Sequence, residues 1–569
     1  MIAPPTPTVL AERLELRSRT LGALPIVSHF LERMRVGALL ERYLPCAEAR
    51  VVLTPARAIG LLVRNLCVSH QPLYALGEWA APFDRAALGL GGGEGGPSDD
   101  QLARALDRLF LADRASFLTE LVLGVIAEFQ IDCSQLHNDS TTITLHGKYR
   151  EADGRERAGK PTAAITYGRS KDHRPDLKQL LWILTVSADG ALPLAYRLAD
   201  GNTPDEHTHI ATWDALTTLA GDPSFLYVAD CKLCTREQMA HIDARGGRFV
   251  TVLPRSRKED GQLRVWLSSE APAFTEADRR PGKRREDPNE VWWTAPAPIH
   301  SAEGHRIVLV RSTIKHQLDQ AARADTITRG MAALEQLQHR LQSPKCRFKD
   351  RTEVAHAADQ ALKRTSASEL IRYEISEHLE QRTRLHSRGP GKGSQRRNFQ
   401  KLRFELTAHT NQAALANKAT ADGCFALITN DHQLPDPELL AAYRYQPNLE
   451  KRHHQLKSVH DAAPVFLKSP ERIEALFCSH FIALLCCCLI ERQLRHAMAR
   501  QHITHLPLFP EQRACRHPTA TRTLQLFSEL TRHRLYHDGH HLTDFPPQLT
   551  PLHTQLLDLL EIPHALYTT

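Results

Sequence analysis

The sequence predicts an α/β protein in which helices flank a mixed β-sheet, with a large insertion subdomain and an all-helical amino-terminal domain. Three observations predict this class. Residues 20–130 carry apolar side chains at helical spacing, residues 132–255 alternate strand and helix patterns, and residues 256–420 interrupt that alternation with polar and basic segments. With 42% hydrophobic and 24% charged residues among 569, the composition is that of globular proteins and excludes disordered and fibrous classes.

The first part, residues 1–130, is predicted to be a helical domain. Segments such as VSHFLERMRVGALLERYL and PARAIGLLVRNLCV have helical spacing. The stretch LGLGGGEGGPSDD interrupts the chain, because glycines are costly inside regular elements. A helix is predicted to begin directly after it, with Ser98 as the cap and Gln101 three residues later.

The second part, residues 131–255, is predicted to begin the sheet domain. QLHNDSTTITLHG has a strand pattern that carries Asp139, and two β-prone runs joined around Asp189 and Gly190 predict a hairpin. The run PSFLYVADCKL predicts a buried strand ending on Asp230, and GRFVTVLP predicts a further strand after a helix at about 235–245.

The rest of the chain is predicted to hold an insertion and the end of the sheet domain. Residues 256–420 contain a helix at about 315–342 and a basic stretch from Arg382 to Phe404, and they are too long for a structureless loop. The sheet pattern resumes at GCFALITND, so residues 421–497 are assigned to the sheet domain, with Glu450 on one helix and a further helix at about 470–496. Residues 498–569 are predicted to be a tail and a candidate dimerisation segment.

Charge, apolar runs and cysteines limit the cellular setting. The net charge of +7 permits a polyanionic partner without requiring one. The longest apolar run, LFCSHFIALLCCCLI, is shorter than a membrane span and predicts a buried helix. Twelve cysteines and the lack of a secretory pattern at the start favour the cytoplasm. The C-x-x-C pair Cys231 and Cys234 has no second pair, which favours unligated thiols over a zinc site.

Three acids stand out by position: Asp139 and Asp230 on predicted core strands and Glu450 on a late helix. A charged acid on a core strand is costly unless it is paired or binds metal. Oxygen ligands suit Mg²⁺ or Mn²⁺, and two such ions are used in phosphoryl displacement. On spacing alone, the favoured alternative is a pair of structural aspartates and a glutamate on a helix surface.

The segment YRYQPNLEKRHHQLK, residues 443–457, carries a stripe of functional groups. Tyr443, Glu450 and Lys457 are seven residues apart, and Gln446 lies on the same side of the predicted helix. Pro447 disfavours helical backbone at Gln446, so the stripe is predicted to kink, with the helix restarting at Pro447.

Four motifs in order give the sequence a family resemblance. HNDSTTI, YGRSKDHRPDLKQ, YVADCKL, and YRYQPNLEKRHHQLK with APVFLKSPERIEALF resemble the motifs of DDE transposases of bacterial insertion sequences, in the insertion-sequence-four superfamily and most closely its sixteen-thirty-four branch. The resemblance covers about residues 130–495, and DDQLARALDRLF in the leading domain is also similar to that branch.

The resemblance implies an RNase H-like sheet, a catalytic triad and a DNA substrate. Asp139, Asp230 and Glu450 would bind two Mg²⁺ or Mn²⁺ ions for DNA cleavage and strand transfer at terminal inverted repeats. The partners that the resemblance implies are element ends, target DNA and a second copy of the chain. Tyr443 and Lys457 match the phosphate-binding positions of the family signature. Gln446 stands where that signature has arginine, which removes one phosphate-binding cation.

Several further residues have two readings. Lys171, His173 and Arg174 either contact the DNA backbone or form a solvated charged turn. Trp292 and Trp293 in the insertion would stack on a flipped base by the resemblance, although core packing is favoured on general grounds. The basic stretch 382–404 is predicted to follow DNA. The competing function is a DNA-binding protein descended from a transposase and no longer catalytic; a repair nuclease has no support beyond the three acids.

Overall fold

The computed structural model describes residues 14–46, 53–90, 97–282, 286–385, 396–459 and 467–569. The chain forms two compact units. The first contains Met1–Thr251 and Ala442–Thr569, and the second contains Val252–Ala441. The insertion was predicted at residues 256–420, and the second unit extends beyond both of those limits.

The elements are numbered here in chain order. The strands are β1 Leu14–Thr20, β2 Gln135–Leu145, β3 Lys178–Ser187, β4 Pro193–Asp200, β5 Leu226–Ala229, β6 Arg248–Val252, β7 Thr275–Arg280, β8 Glu290–Pro296, β9 Arg306–Ser312, β10 Ile371–Leu385, β11 Arg396–Thr410, β12 Cys424–Thr429, β13 Thr531–His537 and β14 His540–Phe545. The α-helices are α1 Leu24–Arg33, α2 Val36–Tyr43, α3 Pro55–Val68, α4 Leu76–Ala80, α5 Asp99–Leu111, α6 Arg114–Phe129, α7 His209–Ala220, α8 Arg236–Asp243, α9 Lys258–Ser269, α10 Thr313–Gln342, α11 Arg351–Arg364, α12 Gln412–Ala419, α13 Asp436–Arg444, α14 Gln446–His454, α15 Pro470–Arg500, α16 Ala520–Gln525, α17 Pro551–Leu559 and α18 Ala565–Thr568.

The first unit is built on strands in the order β4-β3-β2-β5-β6. β2, β3 and β4 are antiparallel neighbours, whereas β5 is parallel to β2 and β6 is parallel to β5. The predicted hairpin is confirmed, since β3 and β4 are joined around Asp189 and Gly190. A mixed α/β architecture is therefore present, as the alternating patterns predicted.

The long helix α15 forms the core of the first unit. Its Phe477 ring lies 5.7 Å from Trp182 on β3, and its Phe481 ring lies 4.9 Å from Tyr196 on β4. The helix as a whole is long and apolar enough to cross a membrane by length and composition, but 94% of its most apolar window is buried inside the fold. The predicted buried helix is confirmed, and it ends at Arg500, four residues beyond the predicted end.

The leading domain is not all-helical, which corrects the sequence prediction. β1 pairs antiparallel with β13, and β13 pairs with β14, so the segment after α15 is folded and is not a tail. Local pattern could not show this, because the two partners are about 500 residues apart in the chain. The helix start after the glycine-rich stretch is confirmed: Ser98 and Gln101 form a reciprocal capping box. Residues 91–96 of that stretch lie outside the described residues.

The second unit has strands in the order β12-β9-β8-β7 and a separate two-stranded ribbon, β10-β11. The predicted helix at about 315–342 is confirmed as α10. Helices α10 and α11 bury Leu334 and Val354 against Ile375 and Phe404 of the ribbon.

The basic stretch 382–404 falls on the ribbon, with residues 386–395 outside the described part of the chain. The Arg403 guanidinium is buried and donates to the Leu341 and Ser343 carbonyls at the end of α10, 3.2 and 2.8 Å away. The Lys401 ammonium donates to the Cys346 carbonyl at 3.0 Å. These two cations therefore stabilise the second unit itself.

Candidate functional site

Sheet register explains why the first two acids meet. β2 and β5 are adjacent parallel strands, and their last paired residues are Asn138 and Ala229. Asp139 and Asp230 each follow directly after these residues, so they leave the same end of neighbouring strands. Asp230 also begins a short 3₁₀ turn, where its carboxylate accepts from the Lys232 N–H at 2.9 Å. Two acids far apart in sequence are thus brought together by the sheet.

The two carboxyl groups lie in an environment that disfavours their charge. Burial raises the pKa of Asp139 to about 6; the Lys171 ammonium opposes this rise, and the carboxylates of Asp230 and Asp205 add to it. Burial also raises the pKa of Asp230, against the stabilising N–H of Lys232. Mutual repulsion of buried carboxylates is the arrangement that a bound cation relieves.

Asp205 is a fourth acid at this place, and the sequence reading missed it. It opens the 3₁₀ turn Asp205–His207 after β4, and its carboxylate accepts from the Ser140 hydroxyl at 2.7 Å. The run TPDEH reads as an ordinary helix start, in which acids are expected for capping. Asp139, Asp205 and Asp230 are called the acid cluster below.

The Lys171 side chain points into the acid cluster. Its Nζ lies 3.2 Å from Asp205 Oδ2 and 3.8 Å from Asp139 Oδ1. The same ammonium donates to the Ser140 carbonyl at 2.6 Å and to the Ser140 hydroxyl at 2.9 Å. Lys171 was predicted either to contact the DNA backbone or to belong to a solvated charged turn, and its ammonium lies among protein oxygens.

The other residues of the charged turn have different surroundings. Arg174 donates to Asp176 at 2.7 and 2.8 Å, and His173 is exposed with a φ of 56°. Asp172 accepts from the Lys457 ammonium at 2.7 Å. The turn therefore contacts the acid cluster at Lys171 and the segment after α14 at Asp172.

The stripe of residues 443–457 is broken as predicted, but the break falls at Tyr445, and Gln446 is helical, which corrects the prediction that Pro447 would keep Gln446 out of the helix. α13 ends at Arg444 and α14 begins at Gln446, one residue before the predicted restart, with Pro447 in its first turn. Lys457 lies on a π-helical turn, Gln455–Val459, after α14. Tyr443, Glu450 and Lys457 thus lie on three successive helical segments.

The Gln446 side chain connects α14 by hydrogen bonds to β2, the strand that carries Asp139. It is buried; its Oε1 lies 2.9 Å from His137 Nδ1, and its Nε2 donates to the Asn138 carbonyl at 3.1 Å. Glu450 follows one helical turn later on the same side and is exposed. The structure thus uses Gln446 to position the helix, whereas the family signature implied a phosphate contact.

Two aromatic side chains link α14 and its approach to the acids. Burial raises the pKa of Tyr443 to about 12, and the negative charges of Asp230, Cys231 and Glu450 add to the rise. One turn after Glu450, the His453 Nε2 lies 3.7 Å from Asp139 Oδ2. Burial and the cations of Lys171 and Lys457 lower the pKa of His453 to about 3, so its ring is neutral at pH 7.

A buried ion pair holds α14 from its other side. The Arg452 guanidinium lies 2.6 Å from Glu491 on α15 and donates to the carbonyls of Gly190 and Ala191 at 2.8 and 3.1 Å. Gly190 has a φ of +78°, and a Cβ there would lie 3.0 Å from the Arg492 side chain. Arg452 on α14 thereby connects this helix to both the β3-β4 turn and α15.

The two tryptophans of the second unit have different surroundings. The Trp292 ring meets Phe425 edge-on at 6.5 Å, as in core packing. Trp293 lines a pocket of about 350 Å³ together with Phe274, Arg311 and His316. Trp293 therefore borders an open space.

Comparisons with known proteins give little. No protein-family model and no curated protein matches the chain. Among solved structures, the chain is similar to the piggyBac transposase in a cryo-EM structure of its synaptic complex with hairpin DNA. That match covers 50% of this chain and 60% of that chain, at 7% sequence identity and a TM-score of 0.27. A likeness this weak carries no weight for function.

Proposed function

We propose that the chain is a DDE-type transposase of a bacterial insertion sequence, which binds the terminal inverted repeats of its element and catalyses metal-dependent DNA cleavage and strand transfer. The observation that carries the proposal is that Asp139 and Asp230 lie at the same end of the adjacent parallel strands β2 and β5. Helix α14, which carries Glu450, is hydrogen-bonded to β2 through Gln446. The strand order β4-β3-β2-β5-β6 supports an RNase H-like sheet.

The donors around Asp139 fit a hard divalent cation in kind. They are carboxylate, hydroxyl and carbonyl oxygens already gathered around one positive charge, the Lys171 ammonium. In the part of the chain that the structure describes, no group of three or more His, Cys, Asp or Glu side chains stands ready as a metal site.

Each residue has a defined part in this proposal. Asp139, Asp230 and Glu450 would hold two Mg²⁺ or Mn²⁺ ions, which supply activation of a water or a 3′ hydroxyl and stabilisation of the leaving oxygen. Tyr443 would orient the substrate phosphate. Lys457 is paired with Asp172, so a phosphate would compete with that carboxylate for its ammonium.

The experiment is cleavage of the element's own ends by the purified protein with Mg²⁺, followed by mapping of the nicks. Asp139→Asn, Asp230→Asn and Glu450→Gln are each expected to reduce cleavage at least about 10³-fold while end binding is kept. Asp558→Asn, at an exposed acid paired with His564, is the matched control and should leave cleavage unchanged. Full Mg²⁺-dependent cleavage in any of the three variants refutes the triad.

The second candidate is a transposase-derived protein that binds DNA without cutting it. Gln446 favours it, because this buried side chain supplies no cation where the family signature has arginine. Retained binding to the ends without metal-dependent nicking would support this candidate. Inverted repeats with short target duplications around the gene would support the active enzyme.

A further inference from the structure

The Lys171 ammonium occupies a position that a metal ion would otherwise suit. Four oxygens surround Nζ: the Ser140 carbonyl at 2.6 Å, the Ser140 hydroxyl at 2.9 Å, Asp205 Oδ2 at 3.2 Å and Asp139 Oδ1 at 3.8 Å. An all-oxygen shell that includes two carboxylates is the donor set of a hard divalent cation. The Lys171 ammonium neutralises part of the negative charge of Asp139 and Asp205.

A second observation at the same place points to a ligand. The His453 side chain is only 8% exposed, and within the described residues neither of its ring nitrogens forms a hydrogen bond of normal geometry; the polar groups beside the ring are the backbone and the carboxylate of Asp139. Its Nε2 is directed at Asp139 Oδ2, 3.7 Å away, which is too long for a hydrogen bond. A buried polar group without a well-formed hydrogen bond destabilises the fold unless a bound ligand supplies the missing partner.

We propose that Lys171 is a built-in counter-ion of the acid cluster and that a divalent cation must displace it to bind there. The inference rests on the proposed function for the identity of the cation. Displacement takes the Lys171 ammonium out of the acid cluster and leaves its oxygen partners to the cation.

The first test uses the unaltered full chain without DNA. Surface lysines are labelled by reductive methylation at increasing Mn²⁺, and labelling of each lysine is read by mass spectrometry. Labelling of Lys171 is expected to rise several-fold on saturation with Mn²⁺. Lys178, whose ammonium donates to the Lys148 carbonyl at 2.8 Å, is the internal control and should not change.

The second test compares Lys171→Met with Lys178→Met as a matched control. Removal of the competing ammonium should tighten Mn²⁺ binding, followed by electron paramagnetic resonance, by about five- to tenfold. Lys171→Arg keeps the positive charge and should bind Mn²⁺ as weakly as the unaltered chain. The rise in melting temperature on adding Mn²⁺ should be larger in Lys171→Met than in the control.

The outcomes separate this inference from the proposed function. Unchanged Lys171 labelling while Mn²⁺ binds, or equal Mn²⁺ affinity in Lys171→Met and the unaltered chain, overturns the counter-ion role even if DNA is cleaved. Tighter Mn²⁺ binding in Lys171→Met supports the role even if no DNA cleavage is found. If neither chain binds Mn²⁺, the counter-ion role and the two-metal mechanism both fail.

Discussion

Gln446 is a single side chain whose loss should be measurable in the stability of the first unit. Gln446→Ala leaves the buried His137 ring nitrogen and Asn138 carbonyl without their partner, so the free energy of unfolding should fall by about 1–3 kcal/mol. Urea denaturation measures this. Gln548→Ala, at an exposed position, should change stability by less than about 0.5 kcal/mol.

The raised pKa of Asp139 makes a pH-dependent prediction. Between the ordinary value of 3.8 and about 6, the carboxyl is ionised in the unfolded chain but protonated in the folded one, so the free energy of unfolding falls as pH rises through this window. The fall is at most about 3 kcal/mol. Asp139→Asn removes it.

Denaturation of both proteins from pH 4 to 7 checks this effect. The stability advantage of Asp139→Asn over the unaltered chain should grow up to about pH 6 and then stay level. A constant difference across the range would show that the folded protein does not disfavour this carboxylate.

Residue-level reading of the sequence reached part of the candidate site. Asp139 and Asp230 could be placed because strand patterns and the end of a buried run are local signals. Asp205 could not, since its local sequence is that of a helix cap and only the sheet brings it to Ser140. The position of Lys171 was hidden for the same reason, because a charged turn gives no sign of which way its lysine points.

At the scale of elements, the Arg452–Glu491 pair predicts how firmly α14 is held. Arg452→Met leaves Glu491 with its buried charge poorly compensated, and the free energy of unfolding should fall by about 3–5 kcal/mol. Arg500→Met breaks an exposed pair with Glu561 and should cost at most about 1 kcal/mol. Chemical denaturation of the two variants under one set of conditions makes the comparison.

A similar loss in both variants would contradict the role of Arg452 as a buried anchor. Under the proposed function, Arg452→Met that remains folded should lose more DNA cleavage than DNA binding, because α14 carries Glu450. Equal losses of binding and cleavage would indicate general unfolding.

Element boundaries followed the local signals closely, whereas element contacts did not. Pro447 predicted the break between α13 and α14, and the cap at Ser98 predicted the start of α5. The attachment of α14 through Gln446 and Arg452 depends on residues brought in from β2 and α15. Such contacts leave no periodic trace along the chain.

At the scale of the whole molecule, the pairing of β1 with β13 predicts that the stability of β13 depends on the first 20 residues of the chain. A chain without residues 1–20 lacks the backbone partner of β13, and its Ser18–His533 hydrogen bond of 2.7 Å is also lost. Amide hydrogen exchange at residues 531–537 should quicken by about tenfold or more. Exchange in β2 and β3 is the internal reference and should be unchanged; unaltered protection of β13 would contradict the pairing.

The same pairing has a consequence for biosynthesis. Thr20 pairs with Thr531, so about 500 residues must leave the ribosome before β1 can meet its partner. At roughly 5–20 residues per second this takes about 25–100 s, during which β1 lacks its partner strand β13. Chaperone capture of the nascent amino terminus is therefore expected to set the yield of the folded protein.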